Sequence, residues 1–294
     1  VIITTVDNDV IKSNYAEYDK INGFIKLKKN ILATDKKNNI IETEFAEYDE
    51  RTKIFKSIGF TKITTTKKYI IEGEDIILDN KKKFITSEKS AIVTDQDNNK
   101  IYLENFNYNT LNNIFKSVGY IKVTDKVDNS YEFSQIYIDT EKKELLGTDI
   151  KAFMNDQRFK IDERNNPRIF SNSVKISNDK SSFNKNVFTL CNYRKNDKCP
   201  PWSIQSSKMV HDAEKKTIYY DQAVLKVYDF PIFYFPYLSH PDPSVDRRSG
   251  FLPPSLSDSK NLGTGMTVPY FWAINKDKNL TITNKFFIKE NPLF

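Results

Sequence analysis

The chain has 294 residues and a net charge of +6, and no run of 18 apolar residues, so no transmembrane helix is encoded. Its lysines sit in short clusters such as Lys67-Lys68 and Lys81-Lys82-Lys83 with acids close by, which reads as solvated turns and argues against a nucleic-acid face. Aromatic residues at 13% against 38% hydrophobic residues suit many half-buried strands better than one thick core. The chain opens on Val1 without a leader pattern, which fits a processed product or an excised piece.

From its start the sequence repeats every thirty residues. Asp19, Asp49, Asp79, Asn109 and Asp139 mark the period. One residue before each stand Tyr18, Tyr48, Leu78, Tyr108 and Ile138; three before stand Ala16, Ala46, Ile76, Phe106 and Ile136; six after come Ile25, Phe55, Ile85, Phe115 and Leu145. Each unit reads as a strand, an Asp or Asn turn and a returning strand, because these side chains bond nearby backbone and tolerate tight bends. Positions one and three before the marker share a strand face. The period therefore predicts an all-β stack of hairpins with one apolar interior. Its candidate lining is Tyr18, Tyr48, Phe55, Ile76, Ile85, Phe106, Tyr108, Phe115, Ile136, Ile138 and Leu145. The repeat loosens between about Ile150 and Phe188, where Asn165-Asn166-Pro167 marks a turn, and returns at His211-Asp212 with Ile218 six residues after Asp212. Closed tightly, such a stack is a solenoid with a sealed core that binds a polysaccharide or a protein. Splayed, it is an apolar groove.

The last hundred residues carry an ordered series: Cys199-Pro200-Pro201-Trp202, Val227-Tyr228-Asp229-Phe230-Pro231, Arg247-Arg248-Ser249-Gly250-Phe251-Leu252-Pro253-Pro254, and Val268-Pro269-Tyr270-Phe271-Trp272. This series resembles the lipopolysaccharide-assembly LptD (OstA/Imp) family, and the preceding hairpins look like that family's OstA-type periplasmic domain. The resemblance implies a periplasmic β-jellyroll, or β-taco, over 1–248 and the start of an outer-membrane β-barrel over 249–294. It implies lipopolysaccharide as cargo, with acyl chains in the apolar groove and an exit through a lateral gate in the barrel. It further implies an LptA-like bridge protein of the same fold joined by edge-strand pairing, a plug lipoprotein LptE, and surrounding outer-membrane lipid. No cofactor and no nucleic acid are expected. Gly265–Ile274 and Asn279–Lys289 each have the length of a tilted membrane strand, and Tyr270, Phe271 and Trp272 would suit an interfacial girdle. In the family, prolines in the first two barrel strands weaken the gate seam. Pro269 matches the first of these, whereas the second falls at Asn284, so one weakened strand is expected.

No catalytic or metal constellation stands out: His211 and His240 are the only histidines, the first expected on a strand face and the second in a turn among prolines. No enzyme is expected. Cys191 and Cys199 are close enough in sequence for a local disulfide, while the resemblance also implies bonds to distant cysteines.

Overall fold

The computed structural model describes residues 1–5, 8–126, 128–154, 167–177, 179–191, 201–242, 245, 247–252 and 255–288, with the backbone alone at 256 and 259. The described residues form strands without a helix. The repeats begin with β1 (Ile2–Thr4), β2 (Val10–Lys12), β3 (Tyr15–Asp19), β4 (Phe24–Thr34), β5 (Ile40–Asp49) and β6 (Ile54–Thr64). The next strands are each split in two: β7 (Ile70–Glu74) and β8 (Ile77–Asp79), β9 (Phe84–Ser87) and β10 (Ala91–Thr94), β11 (Lys100–Leu103) and β12 (Phe106–Asn109). Unsplit strands resume with β13 (Ile114–Thr124), β14 (Ser130–Asp139), β15 (Glu144–Phe153), β16 (Arg168–Ile176), β17 (Lys180–Thr189), β18 (Trp202–Asp212), β19 (Thr217–Val227) and β20 (Phe230–Pro241). Four further strands end the chain: β21 (Gly250–Phe251), β22 (Ser255–Ser259), β23 (Gly263–Ala273) and β24 (Asn279–Phe287).

Contacts divide the described chain into two units, Val1–Val210 with Tyr220–Tyr237, and His211–Tyr219 with Leu238–Phe294. In the first unit the strands follow one another as an antiparallel meander. The sequence markers form one row of turns. Asp19, Asp49, Asp79, Asn109 and Asp139 each accept backbone N–H bonds from the residues two and three ahead. Gly23, Lys53, Lys83, Asn113 and Lys143 then close these turns at positive φ. Adjacent turns are laced together, as where Arg51 donates to the Ile21 carbonyl and Lys81 to that of Arg51 (2.6 Å each).

A second row runs along the other strand ends, at Thr5, Asp35, Thr65, Asp95 and Asp125. Its turns close at Asn8, Asn38, Lys68, Asn98 and Asp128, again at positive φ. Hydrogen bonds to Asn22, Thr52 and the Lys142 backbone, respectively, are the main cause holding the Asp19, Asp49 and Asp139 carboxyls below the usual carboxylate range. Their stabilising contribution is therefore full above about pH 4 and lost as pH falls through the lowered values. Protection factors for exchange at these turn amides, measured against the intrinsic rate at each pH, should fall below about pH 4 while those of the strand interiors hold.

Between the two rows the strands bend. The register shifts between Lys28 and Ile31, Thr43 and Phe45, and Val118 and Ile121, with left-handed residues at Lys29, Asn30, Gly59 and Gly119. These bulges give β4, β5, β6, β13 and β14 two halves, one for each of two walls. At the bend the backbone leaves its ladder, and buried hydroxyls take over. Ser57 accepts from the Ile76 N–H (2.9 Å), Ser87 donates to the Glu74 carbonyl (2.7 Å), and Ser117 donates to that of Asn105 (2.7 Å). Ser57→Ala should cost about 1–3 kcal/mol by chemical denaturation, because it strands a buried N–H. The exposed Ser90→Ala should stay within about 0.5 kcal/mol.

The region where the repeat loosens in sequence keeps its ladder: Leu145 pairs with Ile176, and Ile169 with Phe188. Residues 155–166, including Asn165 and Asn166, lie outside the described residues. The marker returns at Asp212, which accepts from the Lys215 N–H (3.0 Å).

In the second unit β23 lies centrally, paired with β21 and β22 on one side and β24 on the other. Two short strands thus precede the pair expected from sequence. His240 lies within β20 and not in a turn, since strand ends admit the neighbouring prolines. Its Nδ1 donates to the Pro241 carbonyl (2.7 Å), and burial lowers its pKa. His211 Nε2 lies 2.5 Å from the Asp242 carboxylate.

Candidate functional site

In the first unit, strand register turns the repeat positions into continuous ladders. One wall carries Ile25, Tyr48, Phe55, Leu78, Ile85, Tyr108, Phe115, Ile138 and Leu145, each directly opposite the next across adjacent strands. The facing wall carries Ile11, Ala33, Ile41, Ile63, Ile71, Val93 and Ile101, paired in the same way. Members of both ladders line one cavity of about 480 Å³, and turn residues of both rows form its mouth. That volume lies in the range of small-molecule sites. Phe115 stacks on Phe106 (5.7 Å between ring centres) and tilts against Tyr108 (6.3 Å).

The positions expected to line the interior divide by depth. Tyr48, Phe55, Ile85, Tyr108, Phe115 and Ile138 border the cavity. Ile76, Phe106 and Ile136 lie below it, almost wholly buried near the bend, because the position three before the marker is closest to where the walls join. Leu145 continues the ladder beyond the cavity lining. Tyr18 departs from the expectation: it is 53% exposed and donates to the Glu50 carboxylate (3.0 Å), its strand β3 pairing among the described residues with β4 alone.

In the second unit, Val268, Tyr270 and Trp272 share a face with Ile282 and Leu280, while Thr281, Thr283 and Lys285 alternate to the other. Phe271 falls on that opposite face, with the Arg247 guanidinium 5.9 Å from its ring centre, so the three consecutive aromatics do not form one cluster. The Pro269 carbonyl accepts from the Leu252 N–H (2.9 Å). In an antiparallel strand a residue's N–H and C=O point to the same neighbour. The donor that proline lacks therefore belongs to the flank where β21 gives way to β22, and not to the β23–β24 ladder. Val268, one position earlier, faces β24 and is paired with Asn284, whose N–H lies in that ladder.

No family model matches the chain. Curated proteins do. LPS-assembly protein LptD of Paraburkholderia xenovorans is 34% identical over 114 residues, 39% of this chain and 14% of that protein. LPS-assembly protein LptD of Nitrosococcus oceani is 31% identical over 109 residues, covering 36% and 14%, and that of Shewanella oneidensis is 36% identical over 92, covering 30% and 12%. This chain carries an LptD-like domain. It spans 12–14% of the length of these LptD relatives. Among solved structures, LptH, the LptA homologous periplasmic component of the lipopolysaccharide transport device from Pseudomonas aeruginosa, overlays at a TM-score of 0.23. It is 15% identical, with 48% of this chain and 82% of that chain covered, an overlay too loose to add to the strand pairing.

In the first unit, sequence reasoning missed the facing ladder. Its signal was present in the same period, in Ile11, Ile41, Ile71 and Ile101, and in Ala33, Ile63, Val93 and Val123. Cys199 lies outside the described residues, whereas Cys191 is half-buried with its N–H donating to Thr189 Oγ1 (3.1 Å). Among the described residues, no group of three or more His, Cys, Asp and Glu is placed to hold a metal ion.

Proposed function

We propose that this chain takes part in moving lipopolysaccharide to the outer membrane, holding its acyl chains between the two ladders of the first unit. The observation that carries this is the cavity lined from both walls by in-register apolar side chains, in a chain with an LptD-like domain. Each methylene leaving water for the groove favours loading by roughly 0.8 kcal/mol. The sugars stay outside, beyond the polar turns. On this reading residues 1–248 lie in the periplasm and 249–294 begin an outer-membrane barrel. The alternation of apolar and polar faces along β23 and β24 supports the second part. Among the described residues the strands β1 and β3 each pair on one side, and they offer the backbone edge to which an LptA-like bridge protein would add. A lipoprotein of the LptE kind would plug the completed barrel. Lipid would leave sideways at a gate to which Pro269 and Asn284 belong.

The test is photo-crosslinking from a benzoyl-phenylalanine at position 108 during transport. A lipopolysaccharide adduct is expected there and not from position 116, which points outward. Adducts from neither position, with the protein folded and transport active, would favour the sealed-core reading.

A further inference from the structure

The mouth of the cavity is not electrically uniform. On one lip it is bordered by Lys36, Lys37 and Lys67, and on the opposite lip by Lys83. All four side chains are exposed, and none of their ammonium groups has a hydrogen-bonding or acidic partner among the described residues. Three carboxylates border the same mouth, Asp9, Asp35 and Asp79, one fewer than the lysines. Asp35 accepts from the Lys37 and Asn39 backbone and the Asn39 amide, and Asp79 accepts from two backbone N–H groups with Lys82 Nζ 3.9 Å away. Farther along the cavity the bordering turn residues are Thr110, Leu111, Asn113 and Thr140, which carry no charge. Ammonium groups therefore outnumber carboxylates at one end of an apolar groove.

We infer that these four lysines form a collar for the phosphate groups of an amphiphile's head, fixing the head at that end of the groove while its chains lie between the walls. This rests on the groove reading above and adds to it a charge requirement and a position. An ammonium on a flexible stem is a point charge that suits phosphate from either lip. The carboxylates of Asp9, Asp35 and Asp79 offset part of this charge but are fewer than the lysines, and Asp79 has Lys82 Nζ 3.9 Å away as well.

The test compares two probes with the same twelve-carbon chain, dodecyl phosphate and dodecyl maltoside, titrated below their micelle concentrations against the 294-residue chain and against Lys36→Glu/Lys37→Glu/Lys67→Glu/Lys83→Glu. The chain should prefer dodecyl phosphate by about tenfold, the product of four small exposed charge contacts, and the preference should shrink with salt. The variant should lose that preference and bind the maltoside as before, and four Lys→Arg changes should restore it. If both proteins prefer the phosphate equally, or neither does, while the maltoside still binds, the collar is wrong and the groove stands. If neither probe binds, the groove fails and the collar with it. Inorganic phosphate at matched concentration should not displace dodecyl phosphate; displacement would make the lysines a free-phosphate site and overturn the proposal.

Discussion

Phe115→Asp should abolish lipopolysaccharide capture by the first unit, whereas Lys116→Asp, one residue away, should leave it near normal. Phe115 is buried, stacked on Phe106, and sits in the ladder that borders the cavity between Tyr108 and Ile138. A carboxylate there gives up hydration with no partner to receive it, and an unpaired charge in such a place costs several kcal/mol. It also removes the ring that lines the middle of the cavity. Lys116 points outward with its ammonium 5.2 Å from the Tyr137 ring centre, so reversing its charge changes only the outer surface. The measurement is crosslinking yield to lipopolysaccharide, expected to fall more than about tenfold for the first variant. Thermal unfolding by circular dichroism is followed in parallel. Because Phe115→Asp also threatens folding, Tyr108→Asp serves beside it: Tyr108 is half-buried near the mouth, so its variant should fold and still lose most of the yield. Equal yields for Tyr108→Asp and Lys116→Asp would refute the lining.

The second large effect is expected at β24. Asn284→Pro should break the β23–β24 ladder locally, since Asn284 is paired with Val268 and its N–H lies between the two strands. Losing that bond and leaving the Val268 carbonyl unsatisfied costs about 1–3 kcal/mol, before the ring's own steric demand. Pro269→Ala should leave the same ladder unchanged, because the donor it restores points towards the β21–β22 side. Hydrogen exchange in membrane-embedded protein at the amides of Ile282 and Phe286, which face β23 as the Asn284 amide does, separates these outcomes. Faster exchange is expected in Asn284→Pro and wild-type exchange in Pro269→Ala. Slowed exchange in Pro269→Ala would mean that the proline does weaken this seam. Were a lateral gate to open here, Pro269 would loosen the side facing β21 and β22, and Asn284 would govern the other.

How much of this was legible beforehand follows from the range of the interactions. Markers such as Asp19 and Asp49 announced their turns because an Asx turn is made within four residues, by one side chain and its own following backbone. The placement of Tyr48, Phe55, Tyr108 and Phe115 on one wall followed from side-chain alternation and a fixed period. The recurrence of Phe55–Phe60 as Phe115–Tyr120 also carried the bend, through Gly59 and Gly119, although its meaning as a bend emerged only in the folded chain.

What the sequence determined by itself, then, was the all-β class, the thirty-residue unit, its turns and the apolar face of each strand, since all of these depend on residues close together in the chain. The tertiary structure decided which inward positions face open space. Ile76 and Phe115 look alike in the repeat, yet one lies at the base of the bend and the other borders the cavity. It also decided that Ile11, Ile41, Ile71 and Ile101 oppose the first ladder, that Tyr18 on β3 is left to solvent, and that the donor missing at Pro269 falls away from β24. Each depends on where a bulge shifts the register and which strand lies alongside, and those are properties of pairings between strands that no local pattern encodes.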